Sequence, residues 1–543
     1  MDALSRGLQG GILLLLVVSV LVVRALDRPD GRWGRRLRSR LLVGIPWGTL
    51  VTVLFVATVY LGLQQGYRYP RAPLHIPFTS WSYFYPLGLL TAPFSHQSLS
   101  HVTGNLLGTL ALAPLAEYAF SHFPRDRGSS AFDGWRSNPY ARAFVFFPAG
   151  VVGVGLLTSL FAWGPIIGFS GVVFAFAGFS LVRFPLATVV ALAGRDLVGT
   201  LYTVLRNPIV EGSASSSFGP PWWAGIAIQG HLLGFLLGAL LAAALLATRS
   251  EHERPSALRL WAGGLLVGSN MTLWAVWWYR DAGGYVLYRG VGVALVIAVT
   301  IAVVLAVRAT DRSIVGRVTT RQIAIAVLTL PILTMGFAAV PLNSTVVTDE
   351  ATPGNPIQVD GYEVTYAEDV QNQRVGAIDL TAFGESTRVN SSGVIVVDSD
   401  RTVWTEAISR DRLAFAGERT VKVGGIGEST TITAKRTGWK TVGGPTAYQI
   451  SLQPEDGRET WVYAADPATA EPTIAGYNVT ITPENGDFSV AVTSRNRTVA
   501  ASRLPDRNES VTLATLTLEN DDGRLIATRN DTRVRVAGQE TYD

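Results

Sequence analysis

Four polar side chains interrupt apolar runs in the first half of this 543-residue chain, and their types could perform acyl transfer. Ser170 lies in Gly168-Phe169-Ser170-Gly171. His231 lies in Gly230-His231-Leu232-Leu233-Gly234-Phe235-Leu236-Leu237-Gly238, and His101 and Asn105 lie in His96-x4-His101-x3-Asn105. Strongly polar groups inside a membrane segment are costly unless they are paired or functional. A hydroxyl nucleophile, an imidazole to take its proton and donors for an oxyanion are what attack on a carbonyl requires. His101 and Asn105, at i and i+4, share one helix face. Gly171, Ala175 and Gly178 give one segment a small face, and Gly234 with Gly238 gives another. Such faces let helices approach closely in lipid, as they must if a serine is to reach an imidazole on a neighbouring helix. One turn beyond the serine, Phe174 projects on the same face and offers a flat wall to the His231 ring.

The elements that hold these residues must be membrane helices. Apolar residues make up 48%, charged residues 16%, and mean hydropathy is +0.28. So few charges cannot cover a soluble surface of this size. Runs long enough to cross about 30 Å of hydrocarbon as helix recur at 10–26, 42–63, 101–121, 143–162, 168–183, 185–205, 223–247, 260–279, 290–307 and 322–341. No small-residue cleavage site follows the first run, which reads as an anchor. Residues 24–40, 121–142, 183, 248–259 and 308–321 hold nineteen arginines, and the alternate loops hold six. The positive-inside bias makes the first set cytoplasmic and puts the 64–100 loop, the 206–222 loop and the tail outside. Ser170, His231, His101 and Asn105 then fall together in the outer third of the bilayer.

Charge and composition exclude other classes. Residues 1–342 carry 26 Lys+Arg against 12 Asp+Glu (+14), and 343–543 carry 19 against 29 (−10), which together give the net +4. A basic membrane body with an acidic tail implies no nucleic-acid partner. The absence of cysteine removes disulfides, thiolate metal sites and cysteine nucleophiles. His252-Glu253-Arg254-Pro255-Ser256 lacks the second histidine of a metalloprotease helix, so no metal and no cofactor is expected. From residue 343 onward, short runs such as Val394–Val397, Thr430–Ala434, Tyr477–Ile481 and Val511–Leu516 alternate between turn residues and predict one or two β-sandwich-like domains. Asn343, Asn390, Asn478, Asn496, Asn508 and Asn530 each open an N-x-Ser/Thr acceptor, which suits a glycosylated extracellular domain.

Together, these residues resemble the rhomboid family of intramembrane serine proteases over about residues 42–247. The resemblance makes Ser170 the nucleophile of a G-x-S-G motif and His231 the base of an H-x-x-G-x-x-x-G motif. His101 and Asn105 match the oxyanion side chains, with Gly168, Gly171, Gly234 and Gly238 as motif glycines. Phe174 stands where an aromatic stacks on the base, Glu117 matches a structural carboxylate closing its helix, and His96 matches a further histidine of the outer loop. The implied fold class is a polytopic α-helical membrane protein: a rhomboid-like six-helix core with extra transmembrane helices and a C-terminal extracellular β-rich domain. The divisions expected are an N-terminal anchor and basic loop over 1–41, a core over 42–247, three further helices over 258–342 and an acidic domain over 343–543. The implied activity is cleavage of transmembrane helices near the outer face by a Ser–His dyad. Its partners are membrane-protein substrates and the lipid bilayer, and the protein resides in the cell membrane. The alternative is an inactive relative that binds membrane clients. The 64–100 loop departs from the family in lacking a Trp-Arg pair; Trp81 and Pro86-Leu87-Gly88 stand there instead. Arg195 and Asp196, adjacent and about 100° apart on a helix, are expected not to pair but to touch neighbouring helices or a wet cavity, or to line a gate; the Gly/Ser-rich 212–219 reads as a cap over that gate. Ser269 and Asn270 read as interhelical hydrogen-bonding residues.

Overall fold

The computed structural model describes residues 2–27, 32–124, 131–209, 221–249, 254–280, 284–310, 312–315, 318–347, 352–374, 389–495 and 497–542. The chain divides into a helical unit (Met1–Ser216, Pro221–Trp278, Tyr285–Thr345) and a second unit made chiefly of Val346–Asp543.

A helix lies on each of the ten apolar runs. α1 (Asp2–Asp27) is followed by the short, arginine-rich α2 (Arg32–Arg40). α3 (Trp47–Thr58) runs on into a π turn over Val59–Leu63, and the short α4 (Pro86–Thr91) lies within the following loop. α5 (Leu99–Phe120) carries the first polar pair. α6 (Pro139–Ala141) passes through a second π turn, Arg142–Phe146, into α7 (Phe147–Leu160). Then come α8 (Ser170–Arg183), α9 (Pro185–Arg206), α10 (Ile228–Ala247), α11 (Ala257–Asn270), α12 (Arg289–Arg308) and α13 (Thr320–Asn343). Among the described residues six helices are long and apolar enough to cross a membrane: Leu4–Leu26, Pro139–Leu160, α9, α10, α12 and α13. The chain is a polytopic helical membrane protein.

Two spans differ from expectation. The first helix begins at Asp2, well before residue 10. The 260–279 span is cut short: α11 ends at Asn270 after 14 residues, and Trp277–Arg280 is a strand. Gly268-Ser269-Asn270 explains the stop, because glycine is entropically poor in a helix and Ser and Asn compete for backbone hydrogen bonds. Thr272 follows with φ +58, which the helix cannot continue through.

α8 is the centre of the helical unit. Its 14 residues are buried almost all round, so its apolar sequence faces protein rather than lipid. It packs on α10 with backbone close against backbone. A Cβ at Gly234 would stand 2.0 Å from the Gly171 carbonyl oxygen, one at Gly238 2.0 Å from that of Ala175, and one at Gly178 2.1 Å from that of Phe235. The small faces read from the sequence therefore meet each other.

The second unit is β-rich. Its longest sheet runs in the order Thr460–Ala464, Thr446–Pro454, Ser429–Thr441, Thr532–Gln539, Arg524–Arg529, Leu516–Asp521, Ser510–Leu513, with Glu418–Gly424 also paired to Ser429–Thr441. A four-stranded sheet (Ala468–Thr469, Asn478–Glu484, Asp487–Ser494, Arg497–Arg503) shares one core with it, including Val479, Val490, Leu518 and Leu525. That is a sandwich. A further four-stranded sheet spans Ile357–Val359 to Val403–Ser409. On its strand Asn390–Asp398 all of Val394–Val397 are buried, so this run is covered on both faces rather than alternating. The acceptor at Asn343 belongs to α13: its side chain is 4% exposed and donates to the Ala162 carbonyl at 2.7 Å, so the folded chain presents no accessible acceptor there. Asn496 lies outside the described residues.

The α8–α10 contact generates a stability prediction. Gly238→Val must force the two backbones apart, and overpacking of this kind costs about 1–3 kcal/mol or more. Gly104, where a Cβ would meet nothing within 4 Å, serves as the comparison. Thermal unfolding in detergent is expected to show a lowered midpoint for Gly238→Val and little change for Gly104→Ala.

Candidate active site

Ser170 is the first residue of α8, so its backbone N–H has no acceptor within the helix and sits at the positive end of the helix dipole. The turn before it requires glycine twice over. Gly168 has φ +137, and a Cβ there would lie 2.7 Å from His101 Cε1. Its N–H donates to the Ala92 carbonyl at 2.9 Å, fixing the loop against the end of the 64–100 segment. The absence of a side chain at 168 brings α5 and the start of α8 together.

His231 lies in the first turn of α10, and the backbone contact at Gly234 and Gly171 sets its height against Ser170. Ser170 Oγ donates to His231 Nε2 at 2.8 Å. Phe174 stacks on the imidazole, with centroids 4.2 Å apart and planes 13° from parallel. With Nε2 accepting, the ring proton is on Nδ1, which has no hydrogen-bond partner among the described residues. Ring orientation therefore comes from stacking, not from a carboxylate behind it.

His101 and Asn105 come from α5, whose N-cap, Ser98, accepts from the His101 N–H at 3.2 Å. Both line one cavity of about 830 Å³ together with Ser170, Phe174 and His231. Asn105 is held from behind. Its Nδ2 donates to His96 Nε2 at 3.0 Å, and the Phe169 N–H points at the same nitrogen at 3.4 Å. His96 is fully buried and meets the His101 ring edge-on with centroids 5.0 Å apart. Its own backbone is clamped by Gln64, which accepts from the His96 N–H at 2.7 Å and donates to its carbonyl at 2.8 Å. Trp81 Nε1 donates to the Ile76 carbonyl and the Tyr85 hydroxyl to that of Pro77. The 64–100 loop is thus braced by Gln64, Trp81 and Tyr85. Gln64 carries little signal in the sequence beyond being a glutamine at the very end of an apolar run.

Glu117 stands away from the cavity, twelve residues or about 18 Å along α5 from Asn105. It is fully buried and accepts from the backbone N–H groups of Gly48 and Thr49, the Thr49 hydroxyl and His122 Nε2, all at 2.7 Å. It fastens the start of α3 to the end of α5. The role of His122 has no sequence signal, because it lies past the helix in a polar loop.

The expectation that Arg195 and Asp196 do not pair is corrected. Arg195 donates to Asp196 Oδ1 from Nε at 3.0 Å and from NH2 at 2.8 Å, while Asn270 Nδ2 on α11 donates to Oδ2 at 3.0 Å. Adjacent Cβ atoms diverge, but the long guanidinium arm folds back over the shorter carboxylate. Arg195 and Asp196 also line the serine cavity, with Thr200 and Thr203 of the same helix. Asn270 makes the interhelical bond expected of it. The 212–219 stretch lies outside the described residues.

A serine at a helix start, an imidazole in contact and amide and imidazole donors around one cavity form a constellation suited to acyl transfer. Residues 83–248 match the family model described as Rhomboid domain. That segment is a domain of the rhomboid family. No curated protein and no solved structure matches the chain. The rhomboid match includes α5 and α7–α10 and begins after α3, which the expected core over 42–247 includes.

The buried carboxylate carries a prediction. Glu117→Ala leaves buried donors on α3 and His122 without an acceptor, at about 1–3 kcal/mol each. A detergent unfolding scan is expected to show a loss of at least about 3 kcal/mol, with Glu117→Gln milder because one oxygen remains.

Proposed function

We propose that the protein is an intramembrane serine protease that hydrolyses a peptide bond in a transmembrane helix of another membrane protein. The single observation that carries the reading is the 2.8 Å contact of Ser170 Oγ with His231 Nε2, inside a cavity also lined by His101 and Asn105. His231 Nε2 takes the Ser170 proton as Oγ attacks the scissile carbonyl carbon. The resulting oxyanion is held by His101, Asn105 and the Ser170 N–H, reinforced by the helix dipole. The amine then leaves with the proton from His231. Water, activated by the same nitrogen, attacks the acyl-serine and restores the enzyme. No third acid takes part; Phe174 holds the ring instead.

The cavity sits among helices, so substrate enters sideways and water from one end. A regular helix shields its scissile carbonyl in its own hydrogen bonds, and substrates with small or helix-breaking residues at the cut unwind most easily. The polar face of α9, with Arg195, Asp196, Thr200 and Thr203, forms the wall past which an unwound segment lies. The arginine distribution supports an orientation with the serine toward the outer face of the cell membrane and the β-rich unit outside the cell.

Reconstituted protein with a transmembrane substrate tests the reading. Ser170→Ala and His231→Ala are each expected to lower cleavage by at least about a thousandfold while leaving the unfolding midpoint near wild type. His101→Ala and Asn105→Ala are expected to lower it by about a hundredfold through the lost oxyanion contact. Cleavage that continues in Ser170→Ala would refute the proposal. Labelling by a fluorophosphonate should disappear in the same variant.

A further inference from the structure

The α9 helix, which contributes one wall of the serine cavity, is packed over only part of its length. Its buried residues, Pro185, Thr188 and Leu192, all lie within the first eight positions. Beyond them Asp196, Gly199, Thr200, Thr203 and Val204 line the cavity. Spaced at i, i+3, i+4, i+7 and i+8, they share one face of the helix. Leu197, Val198 and Tyr202, off that face, are large, apolar and exposed, as lipid-facing residues are. The second half of α9 is thus amphipathic, with its polar groups turned to the cavity. Polar groups at membrane depth are costly unless they meet a partner or a function.

The polar atoms on this wall are only partly used. Thr200 Oγ1 donates to the Asp196 carbonyl at 2.9 Å, and Thr203 Oγ1 to that of Gly199 at 2.9 Å. Each hydroxyl proton is thereby spent inside the helix, so what remains on the oxygen is acceptor capacity. Arg195 uses Nε and NH2 on Asp196, and its NH1 makes no hydrogen bond among the described residues. One wall therefore carries two acceptors and a donor. A Cβ at Gly199 would meet nothing within 4 Å, so the space in front of this face is open.

An unwound transmembrane segment presents the complementary set. Its N–H and C=O groups have lost their helical partners, and away from bulk water each needs another. Along an extended chain every second N–H points the same way, about 7 Å apart. Side chains three or four residues apart on a helix stand about 5–6 Å apart, so two threonines at that spacing match alternate N–H groups.

We propose that Thr200, Thr203 and Arg195 form a binding subsite for the main chain of an unwound transmembrane segment. Thr200 and Thr203 accept two of its N–H groups, and Arg195 NH1 donates to one of its carbonyl oxygens. The subsite presupposes the reading above that a transmembrane segment enters this cavity, but not that it is cut there. Such a subsite selects by ease of unwinding rather than by side-chain identity, because every residue except proline offers the same N–H. A wall that only held water would show no such selection.

Binding to the full-length Ser170→Ala protein in neutral detergent tests this with cleavage disabled. The probes are two labelled peptides, each a single transmembrane segment, one with a Gly/Ser-rich centre and one with a Leu/Ala centre. The first unwinds more easily and is expected to bind at least about tenfold more tightly. Adding Thr200→Val and Thr203→Val should lower its affinity by about tenfold or more, through two lost hydrogen bonds. Both threonines are exposed and valine has nearly their shape, so the unfolding midpoint should not move. Thr200→Ser with Thr203→Ser keeps both hydroxyls and should hold affinity within about twofold. Ester replacement of single peptide bonds, which deletes one N–H at a time, should weaken binding at two central positions, and at neither once the valines are present. Equal affinity for the two peptides would overturn the proposal, as would unchanged affinity in the valine variant or an equal loss in the serine variant. None of these readouts depends on turnover, so a wild type that binds in this way but never cuts would refute proteolysis while supporting the subsite.

Discussion

The interaction on which the helical unit depends is backbone contact between α8 and α10. At Gly171–Gly234 and Ala175–Gly238 a carbonyl oxygen occupies the place where a Cβ would stand. In lipid there is little hydrophobic gain from bringing helices together, so close packing and weak polar contacts must supply the attraction. The same closeness fixes chemistry. Ser170 has a side chain of one carbon and one oxygen, and it can reach an imidazole on another helix only if the two axes nearly touch. The 2.8 Å hydrogen bond to His231 is therefore a consequence of glycine placement three and seven residues farther along α10.

Around this contact the supporting residues work in layers. His96 joins the Asn105 amide and the Phe169 N–H on one nitrogen, so a single buried ring sets both the Asn105 side chain and the entry to α8. Gln64 in turn fixes His96 through both its backbone groups. Glu117 does the corresponding task at the other end of α5, with four donors on two oxygens. Gln64 and Glu117 are buried polar groups matched by well-placed partners, which is the condition under which such groups rigidify a fold rather than weaken it.

Much of this was legible in the sequence, for physical reasons. Apolar run length locates helices because hydrocarbon thickness is fixed, and all ten runs carry a helix. Polar residues at odds with lipid marked Ser170, His231, His101 and Asn105, and the structure brings these four to one cavity. What escaped were features decided by reach and tertiary context. The turn at Met271–Thr272 and the strand after it ended α11 early, although Trp274, Trp277 and Trp278 prolong the apolar run. The Arg195–Asp196 pair depends on the arm of the arginine rather than on helix geometry. Gln64 and His122 act through partners distant in the chain, 32 residues and 80 residues away respectively, which no local pattern encodes. In the β-rich unit, Val394–Val397 read as one-sided strand, yet sheet and neighbouring elements cover both sides.

The shortness of α8 has a consequence of its own. Fourteen residues span about 21 Å, less than the roughly 30 Å of hydrocarbon that a bilayer presents. A lipid-facing helix of that length would suffer hydrophobic mismatch, but α8 is sheathed by its neighbours and does not meet the acyl chains. Changes in bilayer thickness then fall on the tilt of the outer helices, while the Ser170–His231 contact, mounted on the sheltered axis, keeps its spacing from one membrane to the next.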